Sequence, residues 1–190
     1  MSRISNAGEM VGVFGYGSLL LQRSMEATLG RPYTGPRYPC RLRGWRRRWT
    51  SLYPNERYYF RQPQGGKCYP RHILYLNVEP ADRFLNGVVY LLNKSDLPGL
   101  DEREAVYKRE VVKLEGLDAG LDSLTVYTYV GIPRYILKGI PVVEDAAIRA
   151  SYLRIIDEGL NELGPEFREE YLRSTDPTPN VVIDDQAESE

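Results

Sequence analysis

The sequence predicts one α+β domain over residues 10–173, and three observations carry that prediction. The apolar run Met10–Tyr16 breaks into two glycines and a serine, then into residues that can begin a helix. Runs of β-branched and aromatic residues of strand length, bounded by turn residues, follow through the middle of the chain. Near the C-terminal end, Glu144–Leu163 repeats Ile148, Tyr152, Ile155, Ile156, Gly159, Leu160 and Leu163 at the period of one helix face. With 190 residues, 42 % of them hydrophobic and 27 % charged, the chain has the length of one domain and enough apolar surface for a core.

In order, residues 1–9 lack periodicity and read as a flexible terminus. Met10–Tyr16 is apolar enough for a central strand, and Leu19–Leu29 is a short helix stopped by Gly30 and Pro32. Arg31–Pro39 reads as loop and Cys40–Trp49 as a basic strand segment. Tyr53–Tyr69 is polar, with turn signals at Pro54-Asn55 and Gln64-Gly65-Gly66-Lys67, and reads as an exposed hairpin or flap. His72–Val78 and Gly87–Leu92 are expected as two strands separated by a turn at Glu79–Asn86. Ser95 or Asp96 can cap a helix that tolerates Pro98 in its first turn. Strands Tyr107–Leu114 and Leu124–Tyr129 follow, joined by turn-like Glu115–Asp122, and Gly131–Tyr135 opens a connecting loop. Gly164-Pro165 ends the long helix, and Glu166–Arg173 forms another. Residues 174–190, rich in proline and acid, are expected to be flexible.

Composition narrows the function classes. A net charge of −1 leaves no global field to attract nucleic acid or an anionic membrane. No apolar run approaches the length of a membrane span, and Cys40 and Cys68 have no metal-ligand spacing, so a soluble cytoplasmic protein with reduced thiols is expected. His72, the single histidine, sits on a strand edge with no nucleophile beside it in sequence.

Four features could carry chemistry. The stretch Val13-Phe14-Gly15-Tyr16-Gly17-Ser18-Leu19 reads either as an ordinary strand-to-helix turn or as an anion seat, with Ser18 as helix cap and free amides beyond it. Glu104 shares a helical face with Leu97, Leu100 and Tyr107, while Glu102 and Arg103 turn away. A carboxylate so placed is desolvated and suited to proton transfer, the alternative being a surface pair with Lys108. Fifteen tyrosines against four phenylalanines either line a polar cavity or decorate half-exposed strands. The arginines and tryptophans of Arg41–Trp49 either grip RNA or form a strand with the arginine stems lying along the surface.

Phe14-Gly15-Tyr16-Gly17-Ser18-Leu19, Leu100-Asp101-Glu102-Arg103-Glu104 with Tyr107, and Pro133-Arg134-Tyr135 together resemble the γ-glutamylcyclotransferase superfamily over about Val11–Leu163. The resemblance implies a small mixed β-barrel with flanking helices and an enzyme that cyclises a γ-glutamyl group to 5-oxoproline, releasing the attached amine. It implies no cofactor and no metal, and a small-molecule γ-glutamyl substrate as partner, with neither nucleic acid nor membrane. Residue by residue, it makes Glu104 the catalytic base and acid. Val13, Phe14, Gly15, Tyr16, Gly17, Ser18 and Leu19 become the substrate loop, with Tyr107 and Tyr135 reaching the substrate. Phe14–Leu19 and Gly44–Trp49 look like the ChaC-type, glutathione-specific branch. Leu21 and Tyr53-Pro54-Asn55-Glu56-Arg57 depart from that pattern, which leaves glutathione, γ-glutamyl amino acids, γ-glutamyl amines and a biosynthetic intermediate all open as substrates.

Overall fold

The computed structural model describes residues 9–115, 121 and 123–188. Strand β1 (Met10–Gly15) runs through the centre, with Val11, Val13 and Phe14 buried, and ends in the glycine turn. A single 3-10 turn at Ser18–Leu20 leads into helix α1 (Gln22–Leu29), which closes on Gly30 in the left-handed region. Next come β2 (Arg37–Pro54), β3 (Tyr58–Arg61), β4 (Lys67–Cys68) and β5 (His72–Asn93). Helix α2 (Leu97–Arg103) precedes β6 (Tyr107–Val112), β7 (Leu114–Glu115) and β8 (Val126–Gly131). The chain ends with β9 (Ala146–Arg149), α3 (Ala150–Leu163), α4 (Pro165–Arg173), β10 (Val182–Ile183) and β11 (Gln186–Ala187).

The strands form a mixed half-barrel sheet in the order β10-β9-β5-β1-β8-β6, with β2 and then β7 joined to it through β5, and helices flank it. β1 pairs antiparallel with the end of β5 and parallel with β8, so the glycine turn leaves from the middle of the sheet. A smaller sheet, β11-β3-β4, contains the predicted hairpin.

Several expectations change. His72–Val78 and Gly87–Leu92 are not two strands around a turn but parts of one strand of 22 residues, His72–Asn93. β2 supplies ladder partners from His72 to Pro80 and from Phe84 to Tyr90, and two register irregularities, one at Gly44 with φ of +84° opposite Ala81–Arg83, let the long pair bend. The long helix begins at Ala150 and not Glu144, because Ala146–Ile148 are held as strand by parallel pairing with β5 and β10. The tail expected to be flexible packs onto the domain as far as Glu188. Val181 and Ile183 are buried, β10 and β11 pair with the sheets, and Asp185 accepts hydrogen bonds from the Ser151 amide (2.8 Å) and hydroxyl (2.6 Å). The turn expected at Glu115–Asp122 and the N-terminal segment lie almost wholly outside the described residues. No described helix is long and apolar enough to cross a membrane.

Candidate active site

The turn after β1 is held from every side. The Tyr16 hydroxyl donates to the Tyr129 carbonyl (2.7 Å), and the Tyr171 hydroxyl donates to the Tyr16 carbonyl (3.1 Å). The Tyr90 hydroxyl and Arg37 guanidinium donate to the carbonyls of Leu19 and Leu20, each at 2.9 Å. Helix α3 lies against the turn so closely that a Cβ on Gly159 would be 2.7 Å from the Leu21 nitrogen. On the other flank, a Cβ on Gly17 would be 2.8 Å from the Tyr152 hydroxyl. Glycine is thus required by close approach.

Ser18 does not cap the turn, whose first position is Gly17 with no side-chain cap. Its hydroxyl instead accepts from Arg103 Nη2 (2.9 Å). The Gly17, Ser18 and Leu19 amides meet no acceptor among the described residues, the arrangement an anionic ligand group would satisfy.

Glu104 is not inside α2 but is its C-cap, its amide donating to Leu100 O (2.9 Å) and its carbonyl accepting from the Tyr107 amide (2.8 Å). This hairpin-like exit turns the carboxylate inward, leaving 16 % of the side chain exposed. Lys108 pairs with Glu110, and so the surface alternative does not form. Burial raises the Glu104 carboxyl above the usual carboxylate range, and the Arg103 guanidinium, Nε 3.4 Å away, pulls it partly back.

Arg103 does not turn away either. It reaches across to α1, donating to Ser24 O (2.8 Å) and Thr28 Oγ1 (2.5 Å) as well as to Ser18, and so ties the turn to the catalytic candidate.

Phe14, Gly15, Tyr16, Gly17, Ser18 and Leu19 line a cavity of about 40 Å³ with Glu104 and Tyr107. Leu76, Tyr129 and Tyr152 complete it. Ser18, Glu104, Tyr107 and Tyr152 also face an adjoining cleft of about 230 Å³, which adds Ser24, Tyr53, Tyr75, Arg103, Arg149 and Ile155. Burial raises the Tyr16, Tyr107 and Tyr152 hydroxyls above the ordinary tyrosine range, keeping them neutral donors around Glu104. Tyr107 donates to Leu76 O (2.7 Å) and Tyr129 to Asp101 Oδ1 (2.8 Å). Six tyrosines, Tyr16, Tyr53, Tyr75, Tyr107, Tyr129 and Tyr152, thus line the cavity or its cleft, while others such as Tyr38 and Tyr127 lie half-buried on strands, so each of the two readings holds for part of the set.

Two expected substrate residues stand apart. Val13 is fully buried in β1 and lines neither space. Tyr135, in a 3-10 turn at Pro133–Tyr135, lines a separate outer cavity of about 500 Å³ that shares Tyr53 and Tyr75 with the cleft. Sequence reasoning missed Leu76, Tyr129, Tyr152 and Arg149, which come from four strands and helices. The tyrosine count was the one signal for Tyr129 and Tyr152; Leu76 and Arg149 had none.

The arginines of the Arg41–Trp49 stripe serve the fold. Arg47 is wholly buried, its guanidinium 3.6 Å from the Tyr171 ring and donating to Thr175 Oγ1 (2.7 Å). Arg41 pairs with Glu170, Arg43 with Glu115, Arg46 with Glu79, and Arg48 with Glu79 and Asp176. No residue of Gly44–Trp49 lines the cavity or the cleft.

Among solved structures, one named gamma-glutamyl cyclotransferase superposes with a TM-score of 0.60 at 21 % identity, over 90 % of each chain. The chain has the γ-glutamyl cyclotransferase fold. It is similar as well to an uncharacterized protein from Homo sapiens (TM-score 0.56, 22 % identity, 90 % of each chain). YkqA from Bacillus subtilis matches with a TM-score of 0.61 at 22 % identity, over 93 % of this chain and 58 % of that one. No family model and no curated protein matches the sequence. In this cyclotransferase fold the glycine turn, Arg103 and Glu104 meet on one side of the half-barrel, where β1 leaves the sheet and α2 ends.

Proposed function

We propose that the protein is a γ-glutamylcyclotransferase: it closes the γ-glutamyl group of a small molecule into 5-oxoproline and releases the attached amine. The observation that carries this reading is a largely buried carboxylate, Glu104, in one cavity with three unpaired amides at Gly17–Leu19. Those amides suit the α-carboxylate of the glutamyl group. With that end held, the α-nitrogen and γ-carbonyl are folded toward each other, which lowers the barrier by positioning.

The α-ammonium cannot attack until it loses a proton. Glu104 takes that proton; the nitrogen then attacks the γ-carbonyl carbon to form the five-membered ring, the bond to the departing nitrogen breaks as Glu104 returns the proton to it, and the second proton shed by the ring nitrogen leaves through the same carboxylate, so that a lactam and an ammonium are released. The substrate brings its own nucleophile, so the reaction asks for no cysteine or histidine dyad. The neutral Tyr152 hydroxyl at the cavity wall, the one tyrosine there whose proton is not already given to a protein acceptor among the described residues, is suited to the charge developing on the carbonyl oxygen.

The reading is favoured over RNA binding because the basic stripe is buried or paired with carboxylates. Incubating the protein with γ-glutamyl amino acids, γ-glutamyl amines and glutathione, and measuring 5-oxoproline, tests it. Formation from at least one compound is expected. No 5-oxoproline from any, with a salt-sensitive RNA gel shift lost on replacing Arg46 and Arg48, would support the RNA reading instead.

A further inference from the structure

The cleft beyond Glu104 is lined by two cationic side chains, Arg103 and Arg149, and they differ in how far the protein occupies them. Arg103 is engaged by Ser18, Ser24, Thr28 and Glu104. Arg149, at the end of β9, keeps 14 % of its side chain exposed and has one carboxylate nearby, Asp185 Oδ2 at 3.9 Å. That same oxygen already accepts from the Ser151 hydroxyl, and the other Asp185 oxygen accepts from the Ser151 amide. The Arg149 Nε–H is buried without an acceptor. Aromatic rings fix the guanidinium, Tyr58 with its centroid 3.9 Å away and Tyr75 at 5.9 Å.

A largely buried guanidinium held in place by rings and under-neutralised by its single carboxylate is a receptor for an anion. We propose that Arg149 is a specificity-determining residue that receives a carboxylate carried by the departing half of the substrate. This rests on the cyclotransferase reading: with the glutamyl end in the glycine-turn cavity, the group beyond the scissile nitrogen passes Glu104 into the cleft that Arg149 lines. A departing amine without a carboxylate leaves the guanidinium with the distant Asp185 alone, and a cationic one is repelled by it.

The test compares γ-glutamylalanine with γ-glutamylethylamide, whose departing halves differ by the carboxylate alone, with 5-oxoproline as the readout. The intact protein is expected to favour γ-glutamylalanine in kcat/KM by about 10- to 100-fold, the range of a charge-assisted hydrogen-bond pair. In Arg149→Met that ratio collapses toward one, and in Arg149→Lys it is intermediate, because an ammonium keeps the charge and loses the fork. Both substrates are measured on the same preparation, so a loss of folded protein cancels from the ratio. A ratio near one in the intact protein, or a ratio unchanged in Arg149→Met, overturns the role of Arg149 and leaves the cyclotransferase reading standing. Absence of 5-oxoproline from either compound and from the wider panel overturns both.

Discussion

Glu104→Gln keeps the shape of the side chain and removes its charge and its exchangeable role, so it separates the chemistry of the site from its packing. Loss of a positioned acid–base group lowers turnover by about 10²- to 10⁴-fold, a barrier increase of about 3–5 kcal/mol. The same substitution acts on stability in the opposite direction. Burial raises the folded-state pKa of Glu104 above its unfolded value. Its favourable contribution is therefore complete below the unfolded pKa and is lost as pH rises through the folded one. At neutral pH the ionised carboxylate costs stability, and glutamine removes that cost. Glu104→Gln should have a higher Tm than the natural protein at pH 7, with the difference vanishing below about pH 4, where both side chains are neutral. For the natural protein, kcat/KM should fall on the acid side at a pH above the ordinary carboxylate range, and that limb should be missing from the residual activity of the variant. Steady-state 5-oxoproline assays and thermal melts across pH measure all of this. Near-normal turnover in a folded variant refutes the role of Glu104, and a lower Tm at pH 7 refutes the desolvation argument.

Arg103→Met should move the acid limb upward, since the guanidinium that pulls the Glu104 carboxyl down is gone, and should raise KM because Ser18 loses its anchor; an unmoved pH profile counts against it. Gly17→Ala puts a methyl group 2.8 Å from the Tyr152 hydroxyl, so kcat/KM should drop by about 10-fold or more as the turn shifts, with the far-UV spectrum retained. Gly159→Ala should lower stability by about 1–3 kcal/mol in denaturant titrations, although alanine is better in a helix interior by about 1 kcal/mol, because the new Cβ meets the backbone at Leu20 and Leu21. A stabilised Gly159→Ala would show that α3 does not press on the turn.

By itself the sequence determined the features with local causes. The apolar run of β1, the glycine turn, the one-sided helix through Leu163 and its stop at Gly164-Pro165 follow from periodicity and punctuation within a few residues. So did Glu104 as a candidate, since its spacing from Leu100 and Tyr107 pointed it inward even though it ends its helix instead of lying within it. The tertiary structure decided whatever depended on a distant partner. Glu79–Asn86 carries turn residues, yet stays extended because β2 runs alongside it. The tail has a disorder-prone composition, yet is fixed by Val181 and Ile183 in the core and by Asp185 on Ser151. Arg103 has the same helical phase as a solvent-facing residue, and finds Ser18 because α1 happens to pack there. Arg149 carried no signal in its neighbours, because a guanidinium becomes an anion receptor through burial and through what else holds its partner. Both were settled by chain segments far from it in sequence, Tyr58, Tyr75 and Asp185.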